Sequence, residues 1–350
     1  MTTPKQEGYF MPGEWHPHTA CWMCWPCAAE TFSPAPMDLE TAHKSAKKCW
    51  AEVAKAISRF EPLYMLTNRE ELGEAKLLCG PDINVIETEL DDGWSRDIGP
   101  SFVINKSGDI AGVNWIFNGW GNRGPHDRDN EAAGFILDRL GIKKYNSPLV
   151  LEGGGIHVDG EGTVLLTESV QLNKNRNPEL SKNEVENYLR EYLNVEKIIW
   201  LCGDRNQTST DGHVDAVVSF IKPGRVLLAV SDDTTHPDYE TFQKNREILE
   251  NSRDAQGRAF AIVEITEPYE IMANGTQVKG IYVNFYMANS GIVMPKFDFP
   301  EYDQAALDIF TREFPDREIV QVATRMILFG GGNIHCITQQ QPEPFLKGKH

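Results

Sequence analysis

Two stretches far apart in the chain read alike. Residues 150–158 are VLEGGGIHV, and residues 328–342 are LFGGGNIHCITQQQP. The glycine run and the Ile-His pair recur, but the second copy carries Cys336 where the first has Val158. Around these corners one order of elements returns. Apolar residues three and four apart predict helices at 39–60, 128–140, 182–193, 239–251 and 303–314. Ser181 with Glu184 gives the third a capping box. Strand-like runs follow the helices: PLYMLTN with NVIETEL, SPLVLE, KIIWLC, AFAIVEI, and IVQVA with RMILF. Paired short runs then turn at Lys106-Ser107-Gly108, Asp159-Gly160, Pro223-Gly224 and Asn289-Ser290-Gly291, which are hairpin signals.

Helix, strand, glycine- or acid-rich corner and hairpin thus recur at intervals of roughly 50–70 residues, as in repeat architectures. The last unit lacks a strand, and the N-terminal HTACWMCWP is placed to supply it and close a ring. Such a ring brings equivalent corners together around one axis. No long linker, Ser/Gly tract or charge block divides the chain, so one α/β domain over residues 1–350 is expected.

Composition narrows the function. A formal net charge of −17 argues against nucleic acid or an anionic membrane as partner, since both demand a basic surface. It suits a small cationic ligand. No apolar run reaches transmembrane length. MTTPKQEGYFMPGEW lacks the basic stretch and apolar core of a signal peptide, so a cytoplasmic protein with seven reduced cysteines is expected. Cys21-x2-Cys24-x2-Cys27 has no fourth ligand at matching spacing and reads as a tryptophan-rich strand, not a metal site. GWGNRG at 119–124 fits a dinucleotide fingerprint by chance, because no apolar helix opens after it.

Four corners collect polar residues: DDGWSRDIGP (91–100), LEGGGIHVDG (151–160), TDGHVDAVV (210–218) and GGGNIHC (330–336). Their convergence would assemble Trp94, Asp97, Glu152, His213, Asp215 and Cys336. In a strand, His213 and Asp215 would face the same side. A lone cysteine in a strand is usually core packing, but three preceding glycines allow close approach of a ligand. Cysteine beside histidine is the minimum for thiol nucleophilic catalysis, and Glu152 could fix the histidine's tautomer. Asp97 and Asp215 would repel each other unless a cation lay between them. A guanidinium is such a cation: planar, always charged and suited to bidentate carboxylate pairs, with Trp94 offering a cation–π face. His157 and His335 are expected to point away and pack. Asp91 and Asp92 are expected in a loop with an Asx turn.

With these residues in place the chain resembles a known family. MPGEWHPHTACWMCWP, DDGWSRDIGPSFVIN, FNGWG, LEGGGIHVDGEGTVLLTE, NRNP, TDGHVDAVVSF, YVNFYMANSGIVMP and GGGNIHCITQQQP are similar, in order, to stretches of the agmatine deiminases. These form the peptidylarginine-deiminase-like branch of the guanidino-group-modifying superfamily. The resemblance implies a five-bladed, pseudo-symmetric α/β propeller (pentein) of ββαβ units. It also implies hydrolysis of agmatine to N-carbamoylputrescine and ammonia without metal or organic cofactor. Carried over, Cys336 is the nucleophile and His213 the general acid and base. Glu152 supports His213, Asp97 and Asp215 hold the guanidinium, and Trp94 lies along the substrate. Asn333 and Asp92 join the expected substrate-binding set; the resemblance leaves open which acid meets the distal amine, for which Asp92 and Asp91 are candidates from position alone. The family tendency implies a dimer or larger assembly.

Thr208, Ser209, Ile281 and Cys24 depart from the family pattern. They leave open an arginine or peptidyl-arginine deiminase, for which Arg96, Arg123 and Arg205 could meet a carboxylate. An amidinotransferase would share the covalent step but need an amine acceptor. An inactive, polyamine-binding propeller is a further alternative.

Overall fold

The computed structural model describes residues 2–203, 209–272 and 275–346. Arg205 and Thr208, singled out above, lie outside the described residues. Five sheets share one plan: an antiparallel pair of strands, then a parallel strand delivered by a helix. A parallel neighbour cannot be reached by a tight turn, so each unit needs its crossover. Ser101–Asn105 and Ile110–Ile116 are antiparallel, the helix Ala132–Leu140 crosses over, and Lys143–Val150 pairs in parallel. Ile156–Val158, Thr163–Thr167 and Lys197–Leu201 repeat this around the helix Lys182–Leu193. Val218–Lys222, Arg225–Val230 and Ala261–Thr266 do so around Tyr239–Asn251. Tyr286–Met287, Gly291–Lys296 and Glu318–Ala323 do so around Pro300–Glu313.

The fifth sheet joins distant parts of the chain. Gln339–Pro342 pairs antiparallel with His18–Cys24, which continues through the helix Leu39–Ser58 to Leu63–Thr67, with Asn84–Glu87 at the edge. HTACWMCWP therefore supplies the strand that the last unit lacks. Tyr9–Phe10 adds an edge to the first sheet, and Tyr269–Ile271 with Gln277–Lys279 forms a separate hairpin.

The helices form where the apolar spacing placed them. Leu39–Ser58 buries Ala42, Ala46, Cys49, Trp50, Val53, Ala54 and Ile57, a stripe at helical spacing, and Asp38 accepts the Thr41 N–H at its start. Ser181 and Glu184 make the reciprocal capping box. Two readings change. RMILF is the helix Arg325–Phe329, not a strand: the Thr324 N–H closes on the Lys296 carbonyl, and the chain then turns inward to bury Ile327 and Phe329. The strand read as SPLVLE begins earlier, at Lys143, with alternating burial that its lysines obscure. Cys21 and Cys24 sit an odd number of residues apart on one strand and enter different apolar clusters, Cys21 with Trp50 and Cys24 with Trp22. All seven cysteines are free thiols.

Glu61, buried just after the first helix, ties the fifth sheet to the fourth. It accepts the Tyr286 hydroxyl at 2.6 Å and the Asn289 N–H at 2.9 Å, and lies 3.2 Å from His18 Nδ1. Replacing it by alanine strands these buried groups. Glu61→Ala should lower stability by about 3 kcal/mol, since each orphaned buried donor costs roughly 1–3 kcal/mol. Urea unfolding followed by tryptophan fluorescence checks this, and an unchanged midpoint would contradict it.

Candidate active site

Four corners meet in one place because glycine lets them. Gly154, in the 3-10 turn Gly153–Gly155, lies at the centre. A Cβ there would stand 2.7 Å from His213 Nδ1, 2.8 Å from Asp97 Oδ1 and 2.9 Å from Asp215 Oδ2. Any side chain would push those three apart. In the other glycine corner, a Cβ on Gly332 would meet the Trp94 ring at 2.6 Å and Cys336 Sγ at 2.9 Å. The two similar stretches therefore do one job, backbone held against side chains, at two corners of the same site.

The catalytic-type side chains come from short turns rather than from strands. Asp97 sits in the one-turn helix Ser95–Ile98, and Cys336 in the 3-10 turn His335–Ile337. His213 precedes the 3-10 turn Val214–Ala216, which carries Asp215. The same-face argument for a strand thus fails locally. Asp211 and Gly212, both at positive φ, bend TDGH out of extended form. His213 and Asp215 nonetheless both reach the space around Gly154.

Cys336 is buried, with its Sγ 3.5 Å from Asp215 Oδ2 and 3.2 Å from Asn284 Nδ2. Asp97 accepts the Gly154 N–H at 2.9 Å and the Trp120 indole N–H at 2.8 Å. The His213 ring lies between carboxylates, with Nδ1 3.7 Å from Asp97 and Nε2 3.6 Å from Glu152. Glu152 is itself held by the buried Arg176, whose Nε donates at 2.6 Å and whose Nη1 reaches Asp211 at 2.8 Å.

This packing sets the protonation states. Burial pushes the Cys336 thiol well above its ordinary range, and the charges of Asp215 and Asp97 add to it. Burial works against a charged His213, but Asp97 and Glu152 outweigh it and raise the imidazole to about 9. Glu152 is desolvated too, yet His213 and Arg176 hold it below the usual carboxylate value. Burial raises Asp97, with Asp215 adding to it against the pull of His213. Burial likewise raises Asp92.

A pocket opens onto the thiol and encloses about 400 Å³ counted out to its mouth, within the range of small-ligand sites. Trp94, Asp97, Trp120, Asp92, Gly332 and Cys336 are on its wall. Among the described residues no lysine, arginine or histidine lines it. Asp92 accepts the Gly93 N–H, one residue on and not the two of the expected Asx turn, and its other oxygen takes the Thr31 hydroxyl and the Trp94 indole N–H. Asp91 instead accepts the Arg128 N–H, away from the pocket. Ser209 is on the wall, whereas Ile281 is core. Asn333 is fully buried and off the wall; its Oδ1 accepts the Ile334 N–H, and its backbone N–H favours the Cys336 thiolate. Arg96 is buried behind the site against Glu14, and Arg123 is bound to Asp211 and the Ser209 carbonyl.

One expectation is reversed. His335 does not merely pack: its Nδ1 lies 2.8 Å from Asp215 and its Nε2 2.8 Å from Glu14. His157 stacks on it at 5.7 Å and meets the Ser219 hydroxyl. Glu14, His157 and His335 bring three ligand-type atoms within 4.8 Å. Both His335 nitrogens are already engaged by carboxylates, however, and Arg96 adds a positive charge 3.4 Å from Glu14, so the group reads as a hydrogen-bonded ion cluster. Sequence reasoning also missed Trp120, Arg176 and Asn284. Trp120 sits at φ 54° inside FNGWGNRG, and a tryptophan flanked by glycines was the one visible sign of that unusual backbone.

The family described as Porphyromonas-type peptidyl-arginine deiminase matches over residues 10–342. An agmatine deiminase of Stutzerimonas stutzeri is 42% identical over 373 aligned positions, which cover 99% of each chain. Among solved structures, an agmatine deiminase of Enterococcus faecalis is 38% identical over 98% of each chain, with a TM-score of 0.91. DDAH from Pseudomonas aeruginosa, 12% identical, shares the fold at a TM-score of 0.51 over 93% of this chain and 99% of its own.

A raised thiol pKa has a direct consequence. In the substrate-free protein, alkylation of Cys336 by iodoacetamide at pH 7 should run at least about tenfold slower than that of a free cysteine, because only thiolate reacts. The rate should keep climbing through pH 9 as thiolate appears. Peptide mass spectrometry at timed quench points measures it, and a plateau below pH 8 would show the thiol already ionised.

Proposed function

The chain belongs to the Porphyromonas-type peptidyl-arginine deiminase family, and on that premise we propose how its pocket hydrolyses agmatine to N-carbamoylputrescine and ammonia. It is a hydrolase of amidine C–N bonds. The observation that carries the choice of substrate is the wall of the pocket. Among the described residues its charged lining is carboxylate only, and Asp92 stands on the same wall as the Asp97 and Cys336 pair. Agmatine is cationic at both ends. Arginine brings a carboxylate, which would need a basic partner, and among the described residues neither Arg96 nor Arg123 offers one there, Arg205 lying outside them.

Asp97 and Asp215 hold the guanidinium, placing its carbon over Cys336. Bound between the two carboxylates, the cation cancels the charges that kept the thiol protonated, the thiol gives its proton to solvent, and Asn284 Nδ2 donates to the thiolate. The sulfur attacks the guanidinium carbon to give a neutral tetrahedral adduct. His213 gives its proton to the departing nitrogen, the C–N bond breaks, and ammonia leaves an amidino group on Cys336. Neutral His213 then takes a proton from water as the oxygen attacks that carbon. The C–S bond breaks and returns the electron pair to sulfur; loss of the remaining proton yields the ureido product. Glu152, anchored by Arg176, holds His213 in place through both steps. Trp94 and Trp120 flank the alkyl chain, and Asp92 receives the distal ammonium. We further read the five sheets as the blades of one propeller domain, a reading supported by the pairing of Gln339–Pro342 with His18–Cys24.

Wild-type protein should release ammonia from agmatine and not from arginine, and Cys336→Ala should release none above background. A coupled ammonia assay decides, and equal turnover of arginine would refute the substrate assignment. Asp92→Asn should raise KM for agmatine about tenfold, corresponding to about 1.4 kcal/mol, with a smaller change in kcat. Steady-state kinetics on the variant measures the split; an unaltered KM removes Asp92 from the amine site.

A further inference from the structure

Behind the pocket floor is a layer of charge that the chemistry above does not use. Glu14 comes from the N-terminal segment, His335 from the turn carrying the thiol, and Arg96 from the short helix before Asp97's carbonyl. All are buried: His335 is 2% exposed, Arg96 2% and Glu14 6%. The His335 ring spans two carboxylates, 2.8 Å to Asp215 Oδ2 and 2.8 Å to Glu14 Oε1. A neutral imidazole has one N–H and one lone pair. It could donate to one carboxylate only, and its lone pair would then face the other's oxygen at contact distance. With both carboxylates ionised, as the lowered Glu14 and Asp215 are, both bonds form together only when both nitrogens carry protons.

From this geometry we propose that His335 is a standing imidazolium, kept so by Glu14, and that its charge fixes Asp215 as an ionised, oriented carboxylate for the guanidinium. Glu14 and His335 are then positioning residues. The proposal rests on the reading of Asp215 as a guanidinium-binding group.

The groups facing His335 agree with it. Arg96 lies 3.4 Å from Glu14 and donates through Nε to the His335 carbonyl at 3.3 Å. Two carboxylates and two cations therefore balance in a dry interior, which an uncompensated charge could not tolerate. His157, stacked above, is driven by burial down to about 4 and stays neutral. Burial and Arg96 oppose a charge on His335, but Glu14 and Asp215 outweigh them and lift it above its ordinary value. Burial also works against Asp215, and His335 overcomes it to hold Asp215 below the usual carboxylate range. Cys336, next in the chain, bonds to the same Asp215 oxygen as His335. The proton on His335 thus acts on the nucleophile's own partner.

The test is the ring-nitrogen NMR spectrum of the full chain labelled with 15N-histidine, the His335 signals being assigned by their loss in His335→Gln. Both ring nitrogens should carry protons from pH 6 to pH 8 without titrating. A neutral ring in that range overturns the proposal, and it does so without reference to any substrate, so that failure is distinct from failure of the deiminase reading. Glu14→Gln keeps the shape and removes the charge. In this variant His335 should lose its second proton at lower pH, and kcat/KM for agmatine should fall by up to about 100-fold, mainly through KM. A folded Glu14→Gln protein with wild-type kcat/KM and an unshifted His335 signal would also overturn it. Should that variant not fold, as judged by circular dichroism, the wild-type spectrum alone decides.

Discussion

Burying several carboxylates around one sulfur is possible only if each finds compensation, and the molecule is built to supply it. Glu152 has Arg176, Asp215 has His335, and Glu14 has both His335 and Arg96. Asp97 differs. Its close partners are the neutral Trp120 indole and the Gly154 N–H, and His213 stands further off at 3.7 Å. It is the least balanced of the set, and burial lifts its pKa accordingly. An incoming cation is worth most where compensation is thinnest. The site thus has a fixed half, wired to buried cations, and a receptive half, held only by dipoles.

The fold serves this arrangement by ending its strands at glycine corners. Helical crossovers return each chain segment to the same side of its sheet, so the corners recur where the next hairpin begins. What the corners share is backbone compactness, not side-chain identity. One copy offers Glu152 before its glycines and the other offers Cys336 after them. A repeated scaffold can therefore host different chemistry at equivalent places without altering the strands that support it.

Much of this was legible in the sequence, for identifiable reasons. Helix stripes such as that of Leu39–Ser58 are periodic, and hairpin turns announce themselves through glycine, so the units could be read directly. Cys336, His213, Asp97, Asp215 and Glu152 were found because polar residues crowd at corners otherwise made of glycine. RMILF misled because a run of four apolar residues has no period of its own. His335 was misjudged because strand alternation was assumed where the backbone makes a 3-10 turn. Glu14, Arg176 and Asn284 lie inside stretches that carry the resemblance, but no periodicity or spacing marks them: their roles exist only through partners elsewhere in the chain, such as His335, 321 positions from Glu14. Contacts of that range are written in the topology, not in any window of sequence.

The pairing of Gln339–Pro342 with His18–Cys24 also has a meaning in time. Trp22 and Gln341 hydrogen-bond across 319 residues of intervening chain. At a synthesis rate of about 5–20 residues per second, the first strand waits on the order of 15–60 s at the ribosome for its antiparallel neighbour. During that interval the strand lacks its antiparallel neighbour, and Glu14 and Asp215 have no His335 between them. Cys336, the proposed nucleophile, and His335, the proposed cation beneath it, arrive as consecutive residues, just ahead of the strand that docks them. Reactivity and charge balance are thereby delivered together, late in synthesis, so that a half-made chain holds neither a working thiol nor a settled interior.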